Sequence, residues 1–124
     1  MEKEHLVYSL YPGRFSPLHD GHKAFIRNLL KNGKNVCIAI RDTKLSHNDP
    51  YSVRERIDMI IAEFTEEFRS KQVQIAVIPD ISEIVYGRGV GFDISKIDMP
   101  DEIKEISGTK IREAIREGDT GGTV

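Results

Sequence analysis

"NVCIAI", residues 35–40, is an almost continuous apolar run of strand length, bounded by polar residues on both sides. A run of that kind reads as the central strand of a parallel sheet, covered on both faces. Working back from it, "HKAFIRNLLKN" (22–32) places Phe25, Ile26, Leu29 and Leu30 on one helical face, and Gly33 suits the C-terminal cap. Before that helix, "HLVYSLY" (5–11) reads as a short strand halted by Pro12-Gly13.

Working forward, the polar loop "RDTKLSHNDPY" leads into "SVRERIDMIIAEFTEEF". There Ser52 and Glu55 have capping-box spacing, and Val53, Ile57, Ile60, Ile61, Phe64 and Phe68 continue a helical stripe. "VQIAVI" (73–78) is a third strand stopped by Pro79-Asp80. The segment 81–100 suggests a short helix, a glycine-rich loop and one more strand. A last helix begins near Ser107, with Ile111, Ala114 and Ile115 inward, and the tail 119–124 reads as frayed.

This alternation predicts an α/β fold: one domain over 1–124 built on a single Rossmann-like, doubly wound parallel sheet. Sheets of this class bind ligands outside the carboxyl ends of their strands.

The bulk composition narrows the function. The 124 residues are 31% charged with a formal net charge of −2, so no global field draws the chain to nucleic acid or to an anionic membrane. Any anion site must be local. The single cysteine, Cys37, lies inside the apolar run, which predicts a buried structural thiol and no internal disulfide. The first residues lack a signal-peptide pattern and no apolar run reaches membrane length, so the expectation is a cytoplasmic protein.

"GRFSPLHDGH" (13–22) follows the first strand and carries the densest chemistry. His19 and His22 fall at a helix start, where backbone N–H groups and the dipole favour an anion. Gly21 permits close backbone approach, and Arg14 offers a fork-shaped cation suited to phosphate. By spacing alone three readings stay open: a phosphate site, solvated surface, or a zinc site with Asp20 as a third ligand.

Ser107, Gly108 and Thr109, with Lys110 and Arg112 close behind, offer a second phosphate cradle or an ordinary Ser-capped helix. In the loop after the central strand, Arg54 and Arg56 read as surface partners of Glu55 or Asp58, and Lys44 is uncommitted. "YGRGVGFD" (86–93) lacks the context of a dinucleotide fingerprint and reads as a flexible connection, with Tyr86 and Arg88 available to a substrate.

Taken together, these stretches carry a resemblance. His19-Asp20-Gly21-His22 resembles the His-x-Gly-His signature of the nucleotidylyltransferase superfamily, and "ISGTKIR" (106–112) resembles its Ile-Ser-x-Thr-x-x-Arg signature. The Gly-Arg-Phe start and "LSHNDPYSVRERIDM" (45–59) are most similar to the archaeal-type nicotinamide-nucleotide adenylyltransferases. The chain departs from them in being shorter between Ile84 and the second signature, and in having no tryptophan to set against a nicotinamide ring. The chain also resembles small cytidylyltransferases in length, and phosphopantetheine adenylyltransferases in a lysine near Lys44.

The resemblance implies transfer of a nucleotidyl group from an NTP to a small phosphorylated acceptor, with loss of pyrophosphate. ATP and nicotinamide mononucleotide lead as substrates. The alternatives are a cytidylyltransferase using CTP and a phosphorylated alcohol or phosphonate, or a non-catalytic nucleotide-binding module. It implies His19, His22 and Arg112 as catalytic residues, with His22 nearest the α-phosphoryl. Gly13, Arg14, Phe15, Gly21, Ser107, Gly108 and Thr109 join them in holding the nucleotide. Arg14, Lys44, Tyr86 and Arg88 would face the acceptor. Magnesium would arrive with the NTP rather than on a protein carboxylate cage, and a homo-oligomer is expected.

Overall fold

A computed structural model describes residues 5–88 and 91–97. Three strands, β1 (Tyr8–Gly13), β2 (Asn35–Asp42) and β3 (Val73–Pro79), form a parallel sheet in the order β1-β2-β3. Helix α1 (Asp20–Lys31) links the first two strands, while α2 (Val53–Glu63) and α3 (Thr65–Arg69) link the second and third. The central place of β2 and the parallel pairing on both its sides agree with the reading of its apolar run.

Both prolines expected to stop strands lie inside them. Pro12 pairs with Ala39 and Gly13 with Ile40, and Pro79 pairs with Asp42. Among the described residues β1 and β3 each pair on one side only, a setting in which a missing N–H is tolerated. The consequence is positional: β1 runs two residues further than its composition suggests, so the histidine-bearing loop leaves from the sheet's carboxyl edge.

Register puts Val36, Ile38 and Ile40 of β2 beside Val73, Ile75 and Val77 of β3 on one face. On that face α1 and α2 meet. The Arg27 guanidinium lies 4.7 Å from the centre of the Phe64 ring and is hydrogen-bonded to Glu63, which also pairs with Lys23 at 3.3 Å. Phe15, Leu18, Ile26, Leu29, Ile60 and Phe64 fill the layer between helices and sheet.

Gly33, at φ +80°, closes α1 as expected: its N–H donates to Leu30 O at 3.0 Å, and that of Lys34 to Leu29 O at 3.0 Å. The single long helix expected over 52–68 is broken at Phe64, which sits at φ −119° and ψ 43°. Thr65 Oγ1 donates back to Ile61 O at 2.8 Å, a local bond that competes with continued helix. The break takes Phe68 off the stripe and leaves it 37% exposed.

Cys37, on the opposite face of β2, is half-buried rather than fully enclosed. Burial raises its thiol pKa, which disfavours the thiolate. No helix of the described residues is long and apolar enough to cross a membrane. Among the described residues, 81–88 and 91–97 contain neither helix nor strand, against the expectation of both. The described residues show the order β1-β2-β3 without the reversal expected of a doubly wound sheet, and the helix expected from Ser107 lies outside the described residues.

Candidate active site

At the end of β1 the chain turns through Phe15, at φ +53°, and a cis Ser16–Pro17 peptide, then enters α1 at His19. Phe15, Ser16 and Leu18 are buried, so the loop is anchored by three of its own side chains. The Phe15 ring lies 4.8 Å from that of His22 and 5.3 Å from that of Tyr11. A Cβ at Gly13 would come within 3.1 Å of it, which is why the strand ends in glycine. Phe15 is 1% exposed, so only its main chain can meet a ligand.

His19 is the N-cap of α1. Its Nδ1 accepts from the N–H of Gly21 at 3.1 Å and of His22 at 3.4 Å. His22 Nδ1 accepts in return from His19 N–H at 3.2 Å, a capping box built from two imidazoles. Their rings stack with centroids 3.7 Å apart. A ring nitrogen that accepts a hydrogen bond is unprotonated, so in each neutral ring the proton is on Nε2.

Two consequences follow. The first-turn amides of Gly21 and His22, expected to receive an anion, are instead occupied by His19 Nδ1. The same tautomer leaves no lone pair at Nε2 for zinc, which disfavours the metal reading. Asp20 points away, 83% exposed at its side chain and 3.8 Å from Lys23.

The loop from Thr43 to Ser52 is folded by a Ser46–Asp49 bridge and ties back to the histidine loop through a buried cluster. Asp49, 3% exposed, accepts from Thr43 Oγ1. Burial pushes its carboxyl up, but hydrogen bonds from Ser16 and Thr43 and the charges of Arg56 and Arg14 outweigh that and hold it below the usual range. Arg56 is completely buried and bonds to the carbonyls of Tyr51, Ser52, Arg14 and Arg41. The expectation of a surface pair holds for Arg54, 3.3 Å from Asp58, and is wrong for Arg56. A signal was present: residues 56, 60 and 64 follow one another at helical spacing, and Arg56, Ile60 and Phe64 are all fully buried.

The fold thus gathers Gly13, Phe15, His19, Gly21 and His22 at one strand end and links Arg14 to them through the buried cluster. Lys44 is exposed on the adjoining loop, next to Thr43. Tyr86 and Arg88 line a different cavity of about 600 Å³ with Gly87 and residues 91–94, to which neither 13–22 nor Lys44 contributes. Ser107, Gly108, Thr109 and Arg112 lie outside the described residues.

Known proteins are similar in sequence to this part of the chain. Residues 10–63 match the family described as Cytidylyltransferase-like. Proteins named nicotinamide-nucleotide adenylyltransferase are similar to the chain. That of Pyrococcus abyssi is 29% identical over 79 residues, 62% of this chain and 42% of the relative. That of Methanocorpusculum labreanum is 36% identical over 72 residues, 56% and 40% of the two. That of Thermococcus kodakarensis is 32% identical over 76 residues, 59% and 40%. The chain spans about two fifths of the length of these relatives. Residues 10–63, which carry the paired histidines, are thus similar to the Cytidylyltransferase-like family, and the parallel α/β sheet is consistent with a Rossmann-like nucleotidylyltransferase fold.

Proposed function

We propose that the protein is a nucleotidylyltransferase that moves an adenylyl group from ATP to a small phosphorylated acceptor, nicotinamide mononucleotide foremost, and releases pyrophosphate. The observation that carries this reading is the His19–His22 pair, whose Nδ1 atoms are fixed by backbone and whose protons lie on Nε2. It stands at the carboxyl end of a parallel strand, where α/β sheets bind ligands. The adenylyl preference is supported by the names of the relatives.

An acceptor phosphate is already an anionic nucleophile at neutral pH, so the chemistry needs no general base. It needs in-line positioning and stabilisation of charge on the α-phosphoryl and the leaving pyrophosphate. His19 and His22 donate from Nε2 to the triphosphate, His22 at the α-phosphoryl, with the positive end of α1 behind them. Arg14 lies between nucleotide and acceptor, and Lys44 reaches the acceptor phosphate. Ser107, Gly108, Thr109 and Arg112 complete the nucleotide side by resemblance, whereas Tyr86 and Arg88, which line a separate cavity, take no part in the acceptor site. A donor set of imidazole and guanidinium groups suits a nucleotide that brings its own magnesium, which neutralises triphosphate charge when bound.

Cytidylyl transfer from CTP is the second reading, favoured by the cytidylyltransferase-like match over residues 10–63. The test incubates the protein with magnesium, ATP or CTP, and nicotinamide mononucleotide or glycerol 3-phosphate, and measures pyrophosphate. Release with ATP and the mononucleotide is expected, falling roughly a hundredfold in His22→Ala. Turnover with CTP alone replaces the first reading by the second. Nucleotide binding without pyrophosphate from any acceptor overturns both in favour of a binding module.

A further inference from the structure

Among the described residues Arg56 is the largest side chain that the fold encloses completely, yet the phosphate chemistry proposed above makes no call on it. A guanidinium is costly to bury unless its donors and its charge are answered. Here Nε and Nη1 are answered by chain segments that meet at the carboxyl edge of the sheet, while Nη2 is buried with no hydrogen-bond partner among the described residues. Nε donates to Tyr51 O at 3.1 Å and Ser52 O at 3.3 Å, at the start of α2. Nη1 donates to Arg14 O at 3.0 Å, to Arg41 O at 3.0 Å and to Thr43 Oγ1 at 3.3 Å. Thr43 Oγ1 in turn donates a hydrogen bond to Asp49, whose carboxylate supplies the counter-charge.

The two loops held this way carry the groups assigned to the two phosphates. Arg14 opens the loop that ends at His19, and that loop is pinned by Arg56 at one end and by the imidazole cap at the other. Thr43 immediately precedes Lys44. We infer that Arg56 is a positioning residue that sets the spacing between the histidine loop and the Lys44 loop, so that nucleotide and acceptor phosphates meet in line. This inference rests on the function proposed above. A lysine cannot replace the fork: it has three donors on one nitrogen, against five acceptors spread over three segments.

The experiment is Arg56→Lys in the full chain. It combines a thermal melt, ATP affinity by calorimetry with magnesium, steady-state pyrophosphate release, and the imidazole nitrogen signals of His19 and His22 by NMR. The expected result is a cooperative melt, ATP affinity within about threefold of the parent, and kcat lower by about a hundredfold, since a small misplacement of reacting groups has that effect. A folded variant whose kcat stays within about twofold, or whose loss lies wholly in KM, overturns the inference.

If Arg56→Lys does not melt cooperatively, Thr43→Val carries the test. It removes one bond from each of Arg56 and Asp49, and a kcat lower by about tenfold in a natively melting protein is expected. Unchanged kcat in that variant overturns the inference. If the parent protein releases pyrophosphate from no nucleotide, the function reading has failed by itself and the imidazole signals decide about Arg56. Shifted or broadened His19 and His22 signals in the folded variants uphold the positioning role, and unmoved signals overturn it.

Discussion

His19 and His22 cap each other: each Nδ1 accepts a backbone N–H from the other residue, and the rings stack 3.7 Å apart. One pair of side chains therefore stabilises the start of α1 through Nδ1 and, in the function proposed above, donates to the triphosphate through Nε2.

His19→Asn separates the two jobs. Asparagine is among the best N-caps, so the helix start survives, whereas His19→Ala forfeits about 1 kcal/mol of cap. Both substitutions remove the imidazole Nε2–H. In denaturant melts His19→Asn is expected within a few tenths of a kcal/mol of the parent and His19→Ala about 1 kcal/mol below it. Pyrophosphate release is expected to fall by roughly a hundredfold in both. An asparagine variant with parental turnover would show that the imidazole acts only as a cap.

Gly13 stands at the strand end because of the Phe15 ring, which a Cβ would approach to 3.1 Å. That ring is buried and touches His22, so it has little room to retreat. Gly13→Ala is expected to cost about 1–3 kcal/mol by overpacking. Gly13→Ala with Phe15→Leu is expected to recover part of that in the same chemical melt. If Gly13→Ala left stability unchanged and weakened ATP binding instead, the glycine would be serving the ligand directly.

What the sequence shows and what it hides divide along physical lines. Local signals carried well. Ser52 caps α2 with Glu55 in return, Gly33 closes α1, and the apolar run of β2 is the middle strand. Each depends on residues within one turn or one strand. Pro12 misled because proline is a stop signal only where its N–H is needed, and that depends on which strands lie alongside. Arg56 misled because a charged residue reads as surface. Its acceptors Arg14 O and Arg41 O lie 42 and 15 residues away, so only the assembled fold explains its burial. The histidine pair was legible as a candidate site with phosphate, surface and zinc readings open, but its tautomer was not, since that depends on where the backbone amides point.

Tyr11 makes the fold sensitive to alkali. It packs between Phe15 and Phe25, and burial pushes its phenol up to about 12 from an ordinary value near 10.0. A neutral form favoured by folding contributes stability that is complete below pH ~10, the unfolded pKa, and is lost as pH rises toward the folded value. The loss is on the order of 2 kcal/mol. Urea melts of the parent and of Tyr11→Phe between pH 8 and 11.5 give the measurement. The difference between them is expected to shrink steadily above pH ~10. A constant difference across that range would mean that the phenol is better hydrated than its packing implies.

Asp49 has the opposite dependence. Its carboxyl is held below the ordinary range because the bonds from Ser16 and Thr43 and the charges of Arg56 and Arg14 favour the ionised form over the cost of burial. A depressed pKa contributes stability that is complete above the unfolded value, ~3.9, and disappears as pH falls through the folded one. Asp49→Asn keeps the shape and deletes the charge, leaving the buried Arg56 guanidinium without its counter-ion, a change that costs on the order of 3 kcal/mol in comparable pairs. The variant is therefore expected to melt well below the parent at pH 7. As the medium is acidified below pH ~4 the parent loses the same advantage by protonation, and the two curves draw together. Because the cluster joins the histidine loop to the Lys44 loop, turnover by Asp49→Asn is expected to fall along with stability at neutral pH. Melting curves that stay parallel down to pH 3 would show that the carboxylate and Arg56 are not electrostatically coupled, and that the cluster is held by hydrogen bonds alone.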